Sequence, residues 1–523
     1  MMHLLWILAA GTLMADTYPR QPAVDALHYK FQLTFSDTSD ELQGEATVDL
    51  RFTQDGIKEV VLDLTSVADS KGMIVTAVSG AVSYQHDNHK LRIALDPSKS
   101  GERRRFTIRY HGVAAGGLRT LKNKYGERVV FSENWPDSAR HWLPMIDHPY
   151  DKATSEFLVT APAKYQVVAN GLLQEETDLD GGLRLTHWKQ SVPIASWLNA
   201  IGIAQFSVHY AGMVKGVELQ TWVYRQDQVA GPKWFEPTSR ATIEFFSENI
   251  GPYAYEKLAN IEAAGFSGGT EHASAIFYGE KNVVGERPGT NLIAHEIAHQ
   301  WFGDAVTESD WDDVWLSEGF ATYFTLLFIE HSQGQDVFLA GLKDSRRRIF
   351  DLEKKNPSYK VRHDNLSDMK RVLQQIIYQK GGWTLHMLRS MVGNDFFWTG
   401  IREYYRRYLN ANATTADFQQ VMEEASGTKL GWFFEQWLNR AGSPVVTGTW
   451  HYDAVAKKVV VDLKQSGDYR LPLEIGIGDR IEKIALTQKQ QSYSIAVDKE
   501  PEIVKLDPGT KILMNAEFAK LRP

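Results

Sequence analysis

Two histidines and a glutamate stand close together in the middle of the sequence, at a spacing that suits metal chemistry. His295 and His299 lie four residues apart in an apolar segment that we expect to be a helix, with Thr290 as its N-cap and Gly303 as its stop. Residues i and i+4 share one helix face, so both imidazoles can reach one ion. Glu296 is offset by about 100° around the helix, where it can take a proton from metal-bound water without binding the metal.

A third candidate ligand follows the second histidine after 18 intervening residues. Glu318 stands at the start of another apolar segment of helical pattern. Two packed helices would bring two imidazoles and one carboxylate to one ion and leave a fourth position open, which is typical of catalytic rather than structural zinc. The sequence contains no cysteine, so a metal site must use His and carboxylates. We therefore predict one Zn²⁺ per chain, held by His295, His299 and Glu318.

Composition limits the classes of partner. The chain of 523 residues is too long for one hydrophobic core and predicts about three domains. A hydrophobic content of 43% and a charged content of 23% are ordinary for a soluble globular enzyme. The net charge of −8 offers no broad basic surface for nucleic acid or anionic lipid. We expect no nucleic-acid partner and no membrane span, and the oligomeric state is left open.

The periodicity of apolar residues changes twice along the chain and predicts a multidomain α+β fold. Residues 16–206 alternate as in strands and predict a β-rich N-terminal domain. Residues 207–444 predict a mostly helical catalytic domain, and residues 445–523 a small C-terminal β-sandwich. The residues predicted to share one face of the first strand are Leu27, Tyr29, Phe31, Leu33 and Phe35. The predicted helices include residues 338–355, 369–392, 395–409 and 430–438.

The N-terminus has the pattern of an export signal. The apolar run of residues 4–15 is too short for a transmembrane helix and suits the hydrophobic core of a signal peptide over residues 1–15, with cleavage after Ala15. The segment lacks Lys or Arg before the apolar run, and Leu13 stands where a small residue is preferred. The prediction is a secreted or periplasmic protein. A cytoplasmic location remains the alternative if this segment is not a signal peptide.

Four segments besides the metal motif make the chain resemble a known family. It is similar to the aminopeptidase N and leukotriene hydrolase family of gluzincins, zinc peptidases with a thermolysin-like catalytic domain. The resemblance spans almost the whole chain and implies the β-rich first domain. We expect a three-domain, bacterial-type member without the large helical C-terminal domain of bigger relatives. The matching segments are residues 315–321, 268–272, 378–382 and 139–147.

The resemblance implies roles for residues outside the metal motif. Glu271 matches the glutamate of the Gly-Ala-Met-Glu-Asn exopeptidase motif, which binds the free α-amino group of the substrate. The backbone of Gly268 and Gly269 would lie beside the bound peptide as an added strand. Tyr378 matches the tyrosine that stabilises the oxyanion of the tetrahedral intermediate. From the residues alone, the two glycines indicate a turn, and the spacing favours a core aromatic at Tyr378.

The chain departs from the family pattern at several positions. Gly269, Thr270 and His272 replace the Ala, Met and Asn of the exopeptidase motif, which changes the expected shape of the first substrate pocket. Ser317 replaces the Asn that usually precedes the third ligand. Thr325 stands where the family has a carboxylate that supports a zinc histidine, so that support must come from elsewhere.

One family residue has no secure counterpart. The family's second anchor for the amino group is a Gln or Glu from the first domain. Glu133 is the nearest carboxylate, whereas strict spacing reaches Trp135.

These observations predict a zinc aminopeptidase that acts on peptides with a free N-terminus, with Glu296 as the general base. A zinc endopeptidase of thermolysin type is the first alternative, because it shares the metal chemistry without needing Glu271. A non-catalytic, metalloprotease-like binding protein is the second, and the presence of Glu296 and Tyr378 argues against it.

Overall fold

A computed structural model describes residues 16–283 and 289–521 of the chain. The predicted signal peptide therefore lies outside the described residues. Within those two ranges, none of the helices combines the length and the apolar character needed to cross a membrane.

The N-terminal part of the chain consists of β-sheets. The largest has seven strands in the order β12-β13-β10-β1-β2-β7-β4, and a three-stranded sheet (β3-β6-β5) and a four-stranded sheet (β11-β14-β9-β8) accompany it. The strands are β1 (Val24–Thr34), β2 (Glu41–Phe52), β3 (Glu59–Asp63), β4 (Gly72–Ser79), β5 (Ser83–Asp87), β6 (Lys90–Ala94), β7 (Arg103–Val113), β8 (Leu118–Lys122), β9 (Arg128–Ser132), β10 (Ala153–Pro162), β11 (Gln166–Ala169), β12 (Leu172–Leu179), β13 (Leu183–Ile194) and β14 (Ile201–Ala204).

The first strand follows the predicted alternation except at its beginning. Tyr29, Phe31 and Leu33 are buried on one face, as expected for a half-buried strand. The register between β1 and β2 shifts between Ala26 and His28. Because a one-residue shift exchanges the two faces of a strand, Ala26 is buried in place of the predicted Leu27.

A five-stranded sheet joins the β-rich part to the helices. Its order is β15-β16-β17-β19-β18, with β17 parallel to both β16 and β19. In β19, Phe277 belongs to the hydrophobic core of the N-terminal sheets, whereas Ile276 and Tyr278 belong to the core of the helices. The sheet is therefore covered on both faces, as parallel sheets usually are. The strands are β15 (Phe206–Val214), β16 (Val217–Tyr224), β17 (Lys257–Ala263), β18 (Gly269–Thr270) and β19 (Ala275–Gly279).

The middle of the chain is mostly helical. Among the described residues after the five-stranded sheet, the helices are interrupted by a two-stranded parallel ladder of β20 (Val306–Glu308) and β21 (Ala411–Ala413). The helices are α1 (Ala230–Asn249), α2 (Thr290–His299), α3 (Trp315–Gln333), α4 (Gln335–Lys355), α5 (Gln375–Val392), α6 (Asn394–Tyr408), α7 (Thr415–Ser426) and α8 (Gly431–Phe434), which continues as a π-helix over Glu435–Asn439.

Two helix boundaries differ from the sequence prediction. Residues 369–392 do not form one helix, because Met369–Arg371 is a separate 3₁₀ turn and α5 begins at Gln375. Thr290 is the first residue of α2 rather than its N-cap, a position taken by Gly289. Asp368 caps the 3₁₀ turn by accepting a hydrogen bond from the Lys370 amide, which gives this turn its own start.

The C-terminal part returns to β-structure. One sheet has the order β26-β23-β22-β28 and the other the order β25-β24-β27, and buried residues of both belong to one hydrophobic cluster. The prediction of a multidomain α+β fold with a β-rich start, a helical middle and C-terminal strands is confirmed. The strands are β22 (Val445–Asp453), β23 (Lys458–Gln465), β24 (Leu471–Ile477), β25 (Arg480–Leu486), β26 (Gln490–Ala496), β27 (Val504–Leu506) and β28 (Asn515–Lys520).

Candidate active site

The three predicted metal ligands meet between α2 and α3. The Nε2 atoms of His295 and His299 are 3.2 Å apart. The Oε2 atom of Glu318 lies 3.4 Å from His295 Nε2 and 3.3 Å from His299 Nε2. A tetrahedron with metal–ligand bonds of about 2.0–2.1 Å has edges of about 3.3–3.4 Å, so these atoms match three of its corners. The fourth corner remains for water or substrate.

The chemistry of these three atoms also fits a cation. Glu318 Oε2 is buried and has no hydrogen-bond partner, although it faces two imidazole nitrogens. Buried carboxylate oxygens normally have a partner, and a shared metal ion would supply it. The described residues therefore contain a His/Glu group that can hold a metal ion.

A hydroxyl group orients one of the histidine rings. His299 Nδ1 lies 3.0 Å from Ser317 Oγ. With Nδ1 protonated and donating to that hydroxyl, Nε2 keeps its lone pair for a metal. The backbone carbonyl of Ala321 lies on the side of His295, where it opposes the lowering of the imidazole pKa by burial. Thr325 does not replace the family's supporting carboxylate, because its hydroxyl donates to the same Ala321 carbonyl at 2.7 Å.

Gly303 makes room for this arrangement. Its φ of 122° lies in the region that favours glycine. A Cβ atom at this position would stand 2.4 Å from Ser317 Oγ and 3.0 Å from His299 Nδ1. The prediction that Gly303 stops the helix is wrong, because α2 ends at His299, and the glycine instead leaves space for the hydrogen bond that orients His299.

Glu296 lies beside the metal ligands and against the exopeptidase segment. A carboxylate oxygen of Glu296, one of Glu271 and a ring nitrogen of His299 lie within 4.8 Å of one another. A Cβ atom on Gly269 would stand 2.3 Å from the Glu296 carboxyl carbon. Glycine replaces the family's alanine at a point where the backbone lies close to the predicted general base.

Tyr378 reaches the metal ligands because α3 and α5 cross at very close range. A Cβ on Gly319 would lie 3.0 Å from the backbone of Gly381, and a Cβ on Gly381 would lie 3.0 Å from the Cα of Gly319. Small residues at the crossing let the two helix backbones approach. Glu318 precedes one glycine, and Tyr378 lies one turn before the other. The Tyr378 phenol consequently faces the Glu318 carboxylate, and its ring stacks near His295 at 6.2 Å.

The exopeptidase segment forms the edge of the five-stranded sheet. Gly269 and Thr270 make up β18, which pairs with β19 on one side. Within the described residues, no strand pairs with the other side of β18. Gly268 borders this edge, and a Cβ added to it would meet nothing within 4 Å. An extended peptide can add to such an edge through main-chain hydrogen bonds.

Gln300 ties the exopeptidase segment to the metal-ligand helix. Its Nε2 donates to the Glu271 carbonyl at 2.8 Å, and its Oε1 accepts from the Ser274 amide at 2.8 Å. Because Gln300 directly follows His299, these bonds fix the position of Glu271 relative to the metal ligands. We did not single out Gln300 from the sequence. Its only signal there is its place next to the second histidine.

Glu133, a carboxylate from the first domain, acts on this site through its charge. It follows the end of β9, and its charge acts on both Glu271 and Glu296. Trp135, to which strict spacing pointed, packs instead against Trp197 and Trp311, with ring centroids 4.4 and 4.8 Å away.

The carboxylates of the site raise one another's pKa values. Burial, followed by the charge of Glu271, raises the pKa of Glu296 well above its usual range. Burial also raises the pKa of Glu271, with Glu318 adding to the effect. For Glu133, burial and Glu271 raise the pKa to about 7, against the opposing charge of Arg119. Buried carboxylates crowded in this way favour cations, and a metal ion or a substrate ammonium group would relieve their repulsion.

Comparison with known proteins identifies the family of the chain. The Peptidase M1 N-terminal domain matches residues 25–198, and the Peptidase family M1 domain matches residues 236–437. The two matches together cover more than half of the chain. The chain belongs to peptidase family M1. The catalytic-domain match contains the three candidate ligands, Glu296, Glu271 and Tyr378, and the N-terminal match contains Glu133.

Individual relatives are distant and longer. The chain is 27% identical to glutamyl aminopeptidase of Rattus norvegicus over 387 aligned positions, which cover 69% of this chain and 40% of the rat protein. It is 23% identical to the puromycin-sensitive aminopeptidase of Caenorhabditis elegans over 549 aligned positions, which cover 97% of this chain and 58% of the nematode protein. The chain thus spans about half the length of these relatives.

A solved structure supports the fold. Legionella pneumophila aminopeptidase A, crystallised in complex with aspartic acid, superposes with a TM-score of 0.82 at 18% identity. The superposition covers 96% of this chain and 60% of that one. At this identity the likeness shows that the two proteins share a fold.

Proposed function

We propose that this protein is a zinc aminopeptidase that removes residues from the free N-terminus of peptides. The observation that carries the proposal is the position of Glu271 and Glu133. Glu271 stands beside the general-base candidate, the charge of Glu133 acts on both of them, and neither carboxylate is needed to hold the metal or to activate water. Their negative charge suits the ammonium group of a peptide N-terminus, which is largely protonated at neutral pH.

The metal would be held by His295, His299 and Glu318. When bound, zinc polarises the substrate carbonyl and lowers the pKa of a water molecule. Glu296 takes the proton from the attacking water and later passes it to the leaving amine. The phenol of Tyr378 donates a hydrogen bond to the oxygen on which negative charge develops. No covalent bond between chain and substrate is needed.

The remaining residues of the site position the peptide. The open edge of β18, bordered by Gly268, would pair with the substrate backbone. Glu271 and Glu133 would bind the ammonium group at the end of that strand. With the terminus fixed beside the general base, the first peptide bond is the one presented for hydrolysis. This geometry favours the aminopeptidase over an endopeptidase, whose substrates carry no charged terminus near the cleaved bond.

The decisive experiment compares free and N-acetylated forms of the same alanyl and leucyl chromogenic amides, with and without a metal chelator. We expect hydrolysis of the free amides only, loss of activity with chelator and recovery on adding zinc. Equal hydrolysis of free and acetylated substrates would support the endopeptidase alternative. Stoichiometric zinc binding without hydrolysis of any peptide in a wider panel would support the binding-protein alternative.

A further inference from the structure

The first described residue has a buried backbone nitrogen that faces a carboxylate. Asp16 N lies 3.1 Å from Oδ1 and 3.2 Å from Oδ2 of Asp310. Asp16 is itself 7% exposed. Its side chain accepts hydrogen bonds from His148 Nε2 at 2.8 Å and from the Trp311 amide at 2.9 Å. A residue near the start of the chain is thus bound through both its main chain and its side chain.

This contact connects the N-terminal sheets to the helix that carries a metal ligand. Asp310 caps the 3₁₀ turn Trp311–Asp313, which leads directly into α3 and Glu318. The Thr17 amide donates to the Leu366 carbonyl at 3.1 Å, on the catalytic side. On the other side, the Tyr18 ring stacks on His148 with a centroid distance of 4.5 Å. The segment from Asp16 to Tyr18 therefore lies between the two parts.

The charges around the Asp16 nitrogen are predominantly negative. Asp310 pairs with Arg20 at 2.9 Å, and Asp313 pairs with Arg362 at 2.6 Å. Asp16 shares Arg20 with Asp310, at 3.6 Å, and lies 2.8 Å from His148 Nε2, whereas Asp312 has no ion-pair partner among the described residues. Burial raises the pKa of Asp312 to about 6, and the nearby charge of Asp310 adds to the effect. One more positive charge beside Asp310 would reduce the repulsion among these carboxylates.

We propose that the chain is cleaved between Ala15 and Asp16, and that the α-ammonium group of Asp16 then forms a buried ion pair with Asp310. The step is hydrolysis by an export signal peptidase. One water adds across the peptide bond, the carboxylate stays on Ala15, and the new amine of Asp16 takes up a proton at neutral pH. The ion pair fixes the turn that precedes α3.

The geometry suits an ammonium group better than an amide. In an uncleaved chain, the Asp16 nitrogen carries one hydrogen, which two carboxylate oxygens at nearly equal distances would have to share. An ammonium group carries three hydrogens and a full charge, so each Asp310 oxygen can accept its own charge-assisted bond. The site of cleavage matches the end of the apolar run in the sequence.

The first test uses the full-length chain, expressed with its own N-terminal segment in a bacterium that exports proteins. Intact mass and N-terminal sequencing of the purified protein should show Asp16 as the first residue. Trace acetylation at pH 8, followed by peptide mapping, should modify the α-amine at least about tenfold more slowly in the folded protein than in urea, because a buried ion-paired amine is inaccessible. A protein that keeps residues 1–15 or starts elsewhere would overturn the proposal. An α-amine that reacts equally fast in both states would do so as well.

A second test separates the ion pair from ordinary packing. We compare the protein that begins at Asp16 with one in which Gly-Ser-Ser precedes Asp16, each with Asp310 intact and as Asp310→Asn. The extension should lower Tm by roughly 2 °C with Asp310 intact and much less in Asp310→Asn, since a neutral amide gains little from an ammonium group. Asp336→Asn, an exposed residue at the start of α4, is the matched control and should keep the full difference. The same Tm loss on extension in all three backgrounds would reject the ion pair.

Discussion

The metal-ligand triangle consists of His295, His299 and Glu318, and the amino-group pocket consists of Glu271 and Glu133. Both regions adjoin Glu296, yet the chain assembles them in different ways. The triangle comes from two helices that are adjacent in the chain, and the spacing of two ligands follows from one helical turn. The pocket combines Glu133 from the N-terminal sheets with Glu271 from the edge of another sheet. The first is a local arrangement and the second a long-range one. Substitutions in the triangle should therefore change the zinc content, whereas substitutions in the pocket should change the recognition of free amines.

We expect the largest effect from Glu296→Gln. Glu296 adjoins both regions but should bind neither the metal nor the substrate amine. We expect kcat to fall by ~10²–10⁴, the usual loss on removing a general base, with zinc content unchanged. Zinc per chain is measured by atomic absorption beside steady-state kinetics. His299→Ala is the control that should lose zinc as well as activity. A zinc-loaded Glu296→Gln protein with a near-normal rate would show that another group is the base.

Tyr378→Phe tests whether the phenol beside the metal-ligand triangle stabilises the negative charge that develops on the substrate oxygen. The phenol should act on the oxyanion and contribute little to ground-state binding, so we expect kcat to fall by ~10²–10³ with KM almost unchanged. Zinc content should stay at the native level. An effect confined to KM would instead place the hydroxyl in substrate binding.

The two regions differ in how far the sequence could predict them. The spacing of His295 and His299 predicted a shared ion because helical geometry is local, and their Nε2 atoms are 3.2 Å apart. The position of Glu133 depends on how the loop after β9 packs against another domain. The periodicity of the sequence reports local structure and carries no information on such a long-range contact. Strict spacing therefore pointed to Trp135, a residue in an aromatic cluster. The fold class was predictable from periodicity, whereas the bulge that buries Ala26 in place of Leu27 has no signal in the alternation.

Glu271→Gln is the main test of the amino-group pocket. Removing one partner of a buried charged pair costs ~2–5 kcal/mol. We expect the lower end, a loss of about 30-fold in kcat/KM on alanyl amide, because Glu133 still offers a second carboxylate. Activity on the N-acetylated amide should remain poor, and zinc content should not change. Unaltered kinetics on the free amine would remove Glu271 from the pocket.

Ser317→Ala tests the support of the triangle. The hydroxyl orients His299 through Nδ1, and the loss of such a partner lowers metal affinity by about 10–100-fold. We expect a loss of zinc affinity of about tenfold, the lower end of this range, because the three ligands themselves stay intact. Zinc affinity is measured by competition with a chromogenic chelator. Thr325→Ala is the comparison variant, since this hydroxyl donates to the Ala321 carbonyl rather than to a ligand ring and its loss should change zinc affinity less. Equal effects of the two variants would mean that Ser317 has no special role.

The smallest expected effect, that of Glu133→Gln, decides whether the pocket is one unit. Glu133 lies farther along the chain from the metal helices than any other residue of the site, and its charge acts on Glu271 and Glu296. We expect kcat/KM on free amides to fall by about fivefold, roughly 1 kcal/mol, with zinc content and kcat nearly unchanged. In the double variant with Glu271→Gln, the loss should differ from the product of the single losses, because both carboxylates bind the same ammonium group.

The pH dependence of that variant gives an independent check. Burial and the charge of Glu271 raise the pKa of Glu133 to about 7, so its carboxylate is mostly neutral at pH 6 and mostly ionised at pH 8. Only the ionised form attracts an ammonium group. The ratio of native to Glu133→Gln kcat/KM should therefore grow as the pH rises from 6 to 8. Taking the ratio on one substrate cancels the titration of the substrate amine, which is the same for both proteins. A ratio that stays constant over this range, together with independent losses in the double variant, would confine amine recognition to Glu271 and leave Glu133 as a buried residue of the domain contact.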